Sequence, residues 1–168
     1  MSTSSKTPFQ RYQDDLLKDG FTHDPAQQRV VEKLQNLYDR IVAREKTVGG
    51  RVNRVLGGLR KKHLVPERGL YLWGGVGRGK TYLVDTFFDS LPLERKMRIH
   101  FHRFMQRVHV QLHQLEGEKN PLEQLANQLA VETVIICFDE FFVSDIADAM
   151  ILGGLMEALF ARGVSLVA

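Results

Sequence analysis

The chain contains a glycine-rich stretch whose residue types suit the binding of a phosphate group. GGVGRGKT, residues 74–81, fits the pattern G-x-x-x-x-G-K-[ST]. Its glycines let backbone N–H groups curl around a polyphosphate, while Lys80 brings a positive charge and the Thr81 hydroxyl can ligate Mg²⁺. Lys80 therefore also has a predicted catalytic role. The predicted nucleotide-binding residues are Gly74, Gly75, Val76, Gly77, Arg78, Gly79, Lys80, Thr81 and Tyr82.

A second stretch supplies carboxylates. In VIICFDEFF, residues 134–142, an apolar run ends in Asp139 and Glu140, which predicts two acids at the carboxyl edge of a parallel sheet, where ligands of α/β proteins bind. Asp139 is expected to hold Mg²⁺ directly or through water, and Glu140 to orient and deprotonate an attacking water. The alternative is a pair of solvated carboxylates at the end of a strand. A GTPase is disfavoured because the chain has no Asn-Lys-x-Asp motif.

Alternating strands and helices are predicted to position these residues. The glycine-rich stretch lies between a strand candidate, Leu70–Trp73, and a helix over Tyr82–Leu91. Strands alternating with helices of this size imply right-handed crossovers and a mainly parallel sheet, so the chain belongs to the α/β class. The further predicted strands are 97–101, 134–138 and 164–168. The further predicted helices are 9–19, one from Asp24-Pro25, one around 104–115, one from Asn120-Pro121 and 146–162 with Asp145 as its cap.

Composition places the protein in a reducing compartment. The single cysteine, Cys137, lies in an apolar run, so a disulfide framework is excluded and a cytoplasmic location is expected. No run approaches the ~18 apolar residues of a membrane span, and the N-terminus lacks the apolar region of a secretory signal.

Positive charge is concentrated in residues 44–68, which carry eight Lys and Arg against two Glu in a chain of net charge +3. Within this segment, TVGGRVNRVLGGLRKK, residues 47–62, has three functional interpretations: docking on an acidic membrane surface, binding an acidic partner or contacting nucleic acid. The alternative is that this segment is a solvated insertion with no binding role. Aromatic residues are not interleaved with the charges, so there is no strong signal for single-stranded nucleic acid.

Four histidines and one arginine are further candidates. His100 and His102 alternate with apolar residues on the predicted second strand, but no third ligand is spaced to form a metal site with them. His109 and His113 are spaced i, i+4 on a helix and are expected on a solvated face. Arg162 is expected to be a charge near the negative end of a helix dipole.

Several strings resemble one family, the ZapE-type ATPases of the AAA+ class, which are bacterial cell-division proteins with mitochondrial relatives. They are GLYLWGGVGRGKT, HFHRFM, FDEFFVSDIADAM and LFARG, together with DPAQ near the start. The resemblance covers nearly the whole chain. It implies an AAA+-like P-loop NTPase fold, a three-layer sandwich with a mainly parallel sheet. It also implies ATP and Mg²⁺ as ligands, a homo-oligomer, and action on the tubulin-like FtsZ protein at the division site.

The same resemblance supplies two further expectations. In AAA+ proteins a polar residue near the end of the second strand can hold the catalytic glutamate inactive, and His102 is the candidate for this glutamate switch. The chain also ends within an apolar strand, before the sensor, the arginine finger, the last core strand and the helical lid of the family. The expected parts are an N-terminal helical segment, 1–43, a basic glycine-containing linker or insertion, 44–68, and the N-terminal part of a P-loop ATPase core, 69–168.

Three function classes follow from these features. The first is an ATP-hydrolysing AAA+ protein that acts on a protein partner in division, and the family-specific strings favour it. The second is a nucleic-acid-linked ATPase of the helicase-loader type, which shares the phosphate loop and the Asp-Glu pair. The third is a nucleotide-dependent binding module that does not hydrolyse its nucleotide.

Overall fold

A computed structural model describes residues 6–51, 65–75, 77 and 79–168. In the described part of the chain the helices are α1 Pro8–Leu16, α2 Pro25–Arg51, α3 Lys80–Ser90, α4 Phe101–Gln114, α5 Pro121–Glu132 and α6 Ile146–Phe160. The strands are β1 Lys96–His100, β2 Ile135–Asp139 and β3 Ser165–Val167. These elements match most of the sequence prediction, with ends that shift by a few residues.

The chain divides into two compact units. The first consists of the described part of Met1–Arg60 together with Leu70–Glu94, and the second of the described part of Lys61–Gly69 together with Arg95–Ala168. This division differs from the predicted three parts, because α3 packs on α1 and α2. Helix α2 also continues to Arg51, past residue 43, where the N-terminal helical segment was expected to end.

The first unit is an all-helical layer that carries α3. Helix α1 begins with a capping box, in which the Thr7 hydroxyl accepts from the backbone N–H of Gln10 and the Gln10 side chain accepts from that of Thr7. The apolar stripes of the three helices are buried, as expected for helices that face a common core. Their fully buried side chains include Tyr12, Leu34, Leu37, Ile41 and Phe87.

The second unit contains a parallel sheet in the order β1-β2-β3. Lys96 pairs with Ile135 and His100 with Asp139, and Ile135 pairs in turn with Ser165. Helices α4 and α5 connect β1 to β2, and α6 connects β2 to β3, so the observed arrangement is the predicted alternation of strands with helices. The α/β class and the parallel sheet are confirmed.

The two faces of β2 have different environments. Ile136 and Phe138 belong to a core cluster that includes Phe104 of α4, Leu129 of α5 and Leu155 of α6. Because side chains alternate along a strand, Cys137 and Asp139 point to the opposite face. The sequence therefore fixes Asp139 at the end of β2, on the face away from this helical cluster.

The strand predicted over Leu70–Trp73 is not formed. Leu70 is an isolated bridge residue, and residues 71–73 have no regular secondary structure. A β-strand forms only where a neighbouring strand supplies the partners for its backbone hydrogen bonds. Alternation of apolar residues over four positions is therefore not enough to predict one. The segment 65–69, which precedes Leu70 and belongs to the second unit, runs beside β3. There the Glu67 N–H donates to the Ser165 hydroxyl at 2.9 Å.

Within the ranges that the structure describes, no helix is both long enough and apolar enough to cross a bilayer.

Candidate active site

The glycine-rich stretch leads directly into α3, as predicted. Gly79 is the N-cap of this helix with φ 75° and ψ 20°, and Gly77 has φ 81°. Side chains disfavour this left-handed region, whereas glycine enters it freely. Val76 and Arg78 lie outside the described residues. The first turn of a helix offers N–H groups that lack an intrahelical acceptor, together with the positive end of the helix dipole. The start of α3 therefore offers N–H groups and a dipole end of the kind that bind anions.

Lys80 and Thr81 are the first two residues of α3. The Lys80 ammonium donates to the carbonyl oxygen of Gly74, so the side chain folds back across its own loop. The side chain of Thr81 is exposed. An ammonium and a hydroxyl at the mouth of a phosphate-type loop are the groups that bind terminal phosphates and a hydrated Mg²⁺.

Gln27 is a loop neighbour to which sequence reasoning gave no role. A Cβ at Gly79 would lie 2.7 Å from the Gln27 side-chain nitrogen, Nε2. The side chain of Gln27, in the first turn of α2, therefore lies against the end of the loop and would have to shift to admit a side chain at position 79. In the sequence, Asp24 and Pro25 mark the start of a helix, and DPAQ, residues 24–27, belongs to the family resemblance. Neither observation predicts the packing of Gln27 beside Gly79, which depends on a contact between distant residues.

Tyr82 directs its side chain into the helical layer of the first unit. Its hydroxyl donates to Asp15 Oδ2 at 2.5 Å, and its ring lies 5.3 Å from that of Phe21. Burial, followed by this hydrogen bond, raises the pKa of Tyr82 well above its usual range. The pKa of Asp15 is lowered, first by its hydrogen bond from Lys18 and then by that from Tyr82. The side chain thus anchors α3 to α1, and nucleotide contact by Tyr82 stays a prediction.

Asp139 and Glu140 lie in the second unit, at the end of β2. Asp139 is half-buried and accepts a hydrogen bond from the Arg98 guanidinium. Glu140 is exposed and has a left-handed φ of 51°. This conformation, uncommon for a residue other than glycine or asparagine, turns the chain sharply after the strand.

Arg98 was missed by sequence analysis. It is on β1, and its ion pair with Asp139 joins residues 41 positions apart in the sequence. In the string MRIH, residues 97–100, Arg98 lies between the apolar residues Met97 and Ile99. That interruption is the only signal the sequence offered, and it does not identify a partner.

The expectation that His102 lies on the second strand is wrong. Strand β1 ends at His100, α4 begins at Phe101, and His102 is an exposed residue in its first turn. The physical reason is the spacing of Phe101, Phe104, Met105 and Val108, which are all buried and form a helical stripe that starts at residue 101. The role of His102 as a glutamate switch is not tested by this placement and stays a prediction.

His109 and His113 lie on α4, as expected. His109 Nε2 is 2.6 Å from Asp148 Oδ1, and His113 Nδ1 is 3.1 Å from Glu116 Oε2. Both histidines are exposed. Across the described residues, no group of three or more His, Cys, Asp or Glu side chains is arranged to hold a metal ion.

Arg162 acts as expected for a cation at the end of a helix. Its guanidinium donates to the Ala158 carbonyl in the last turn of α6 and to the Asn127 side chain, both at 2.7 Å. It also pairs with the carboxylate of Glu123. At Asn120, which precedes α5, no side-chain cap bond forms. Asp145, by contrast, accepts from the backbone N–H of Ala147 at 2.6 Å, which confirms it as the cap of α6.

These features agree with the family assignment from whole-chain comparison. A family model described as AFG1-like ATPase matches residues 6–168. The chain belongs to the AFG1-like ATPase family. This confirms both the ZapE-type resemblance and the P-loop NTPase fold class.

Two relatives illustrate the breadth of this family. The chain is 49% identical over 170 residues to "Cell division protein ZapE" of Escherichia coli K12, covering 98% of the chain and 45% of that protein. It is 45% identical over 114 residues to "Lactation elevated protein 1 homolog B" of Danio rerio, covering 61% of the chain and 23% of that protein. The chain thus spans less than half the length of these relatives. No solved structure has a significant similarity to it.

The donor groups present suit Mg²⁺. Thr81 in the first unit and Asp139 in the second offer a hydroxyl and a carboxylate, the hard oxygen donors that this ion prefers. Magnesium in nucleotide enzymes commonly binds one or two protein side chains together with substrate phosphates. Asp139 and Thr81 therefore fit that pattern in their chemistry.

Proposed function

We propose that the chain binds ATP through its phosphate loop and belongs to an ATP-hydrolysing protein. The observation that carries this proposal is the loop that opens α3, with Gly77 and Gly79 in left-handed conformations and Lys80 folded over it. The backbone N–H groups of residues 74–82 bind the phosphates, and Lys80 exchanges the Gly74 carbonyl for oxygens of the β- and γ-phosphates.

The carboxylates supply the remaining chemistry. Asp139 and Thr81 are each proposed as Mg²⁺ ligands, and the ion when bound would neutralise charge on the transferred phosphoryl group. Glu140 acts as the general base: its carboxylate orients the attacking water and accepts its proton. The exposed position of Glu140 at the end of β2 supports this role, because the side chain is accessible to both water and substrate.

The biological setting is proposed from the relatives. The name "Cell division protein ZapE" applies to a protein 49% identical to this chain. We infer that this protein also acts in cell division, on FtsZ or another component of the division ring, as a homo-oligomer at the cytoplasmic division site. Residues 47–62, most of which lie outside the described residues, are the proposed contact with an acidic partner or membrane surface.

The Glu140→Gln substitution tests the proposed catalytic role. An amide can orient water but cannot accept its proton, so we expect ATP affinity to be retained while hydrolysis slows by on the order of 10²–10⁴-fold. Phosphate release and binding of a fluorescent ATP analogue should be measured on the same samples. The matched control is Glu118→Gln, which changes an exposed glutamate in the turn after α4 and should leave both quantities unchanged. Equal, measurable hydrolysis by the parent and Glu140→Gln would contradict the assignment.

A further inference from the structure

Asp139, the proposed cation ligand, forms an ion pair with Arg98. The Arg98 guanidinium nitrogen Nη2 is 2.6 Å from Asp139 Oδ1, and the two side chains are only 15% and 19% exposed. Such a pair, largely shielded from solvent, is screened less by salt than a surface pair.

The sheet itself determines that these side chains meet. Arg98 pairs in register with Cys137, and Asp139 is two residues further along β2. Alternation places Arg98, Cys137 and Asp139 on the same face of the sheet. The guanidinium then reaches along the neighbouring strand to the carboxylate, so the contact follows from the register of β1 and β2 and not from a loop.

This contact has two consequences for a divalent cation at Asp139. One carboxylate oxygen, Oδ1, already accepts a charge-assisted hydrogen bond. In addition, an arginine cannot be deprotonated in a protein, so a permanent positive charge stands next to the ligand oxygen. Both effects oppose the binding of a free cation. The negative phosphates of a nucleotide would offset the second effect.

We propose that Arg98 is a positioning residue that fixes the orientation of Asp139 and prevents this carboxylate from binding a divalent cation in the nucleotide-free protein. The inference rests on the proposed role of Asp139 as a Mg²⁺ ligand. It deepens that role: cation binding at Asp139 becomes conditional on the nucleotide, because only the cation–nucleotide complex carries enough negative charge to overcome the guanidinium.

The Arg98→Gln variant tests this directly, with Mn²⁺ as the probe and its electron paramagnetic resonance signal as the readout. In nucleotide-free samples we expect Arg98→Gln to bind Mn²⁺ at least about tenfold more tightly than the parent, because one positive charge close to the cation is removed. Arg98→Lys, which keeps the charge, should remain close to the parent. Asp139→Asn combined with Arg98→Gln should abolish the gain.

The matched control is Arg103→Gln, which removes an exposed arginine from α4 and should not change Mn²⁺ affinity. A purely structural role for Arg98 predicts a different result: a lower melting temperature with unchanged or weaker Mn²⁺ binding. That result in folded Arg98→Gln would overturn the proposal. Because Arg98→Lys keeps the positive charge, a gain of tenfold or more in its Mn²⁺ affinity would also overturn the proposal.

A second arm separates this inference from the proposed function. The affinity of the parent for the Mn²⁺–ATP complex should show a clear loss in Asp139→Asn. If that loss is absent, Asp139 is not the cation ligand and its role in the proposed function fails. If the loss occurs but Arg98→Gln shows no gain without nucleotide, the role of Asp139 stands and only the role of Arg98 is wrong.

Discussion

Glu140 combines a proposed catalytic role with an unfavourable backbone conformation. Its φ of 51° lies in the left-handed region, which costs an L-residue with a Cβ roughly 1–2 kcal/mol. Asn120 has a similar φ of 54°, but asparagine tolerates the region because its short side chain can hydrogen-bond locally. Strained residues of this kind cluster at functional sites, where surrounding structure maintains them.

Relief of this strain should stabilise the protein while removing its activity. We expect Glu140→Gly to raise the free energy of unfolding by up to about 1 kcal/mol, because the greater entropy loss of glycine offsets part of the relieved strain. Hydrolysis should fall as in Glu140→Gln. Chemical denaturation measures the first effect, and Asn120→Gly, with a smaller expected change, is the control. A clear loss of stability in Glu140→Gly alone would show that the conformation is not strained.

At the scale of elements, Gly69 lies close against the backbone of β3 in the second unit. A Cβ at this position would lie 1.8 Å from the carbonyl oxygen of Leu166 in β3, which is far inside van der Waals contact. The segment 65–69 can therefore run beside β3 only because residue 69 has no side chain. Gly153 on α6 offers the opposite case, since nothing lies within 4 Å of an added Cβ.

The same substitution at these two glycines should change stability in opposite directions. Gly69→Ala is expected to cost about 1–3 kcal/mol, because backbone must move away from backbone. Gly153→Ala should instead add about 1 kcal/mol, because alanine is the better helix former and meets no neighbour. Free energies of unfolding from denaturant titrations compare the two. Equal effects of one sign would mean that the close approach at Gly69 does not constrain the sheet.

Local patterns predicted the elements that depend on local physics. The continuous apolar run of β2 and the Asp145 cap of α6 could both be identified from neighbouring residues, and the structure confirms them. The strand expected at Leu70–Trp73 depends on a partner ladder, which short-range alternation does not reveal. The misplacement of His102 reflects the usual uncertainty of element boundaries.

The candidate site was predictable in its residue types but not in its supporting contacts. The spacing of glycines, Lys80 and Thr81 is a local motif, and so is the Asp-Glu pair after an apolar strand. The contact between Arg98 and Asp139 depends on the register of two strands, and the left-handed φ of Glu140 depends on how the chain leaves β2. Neither property can be derived from the order of residues alone.

At the scale of the whole molecule, the two sets of proposed site residues belong to different compact units. Lys80 and Thr81 are in the unit built from α1, α2 and α3, whereas Asp139 and Glu140 are in the unit that contains the parallel sheet. This separation allows the two roles to be tested independently. Substitutions at the phosphate loop should affect nucleotide affinity, while substitutions at Glu140 should affect turnover.

Nucleotide affinity of the parent and of Lys80→Ala is the measurement that tests the central claim most directly. A fluorescent ATP analogue should bind the parent saturably, and Lys80→Ala should bind it about 10- to 100-fold more weakly, because charge-assisted hydrogen bonds to phosphate are lost. Lys119→Ala, which changes an exposed lysine before α5, should bind like the parent. Equal affinity of the parent and Lys80→Ala, or no saturable binding by the parent, would contradict the assignment of residues 74–81 as a nucleotide site.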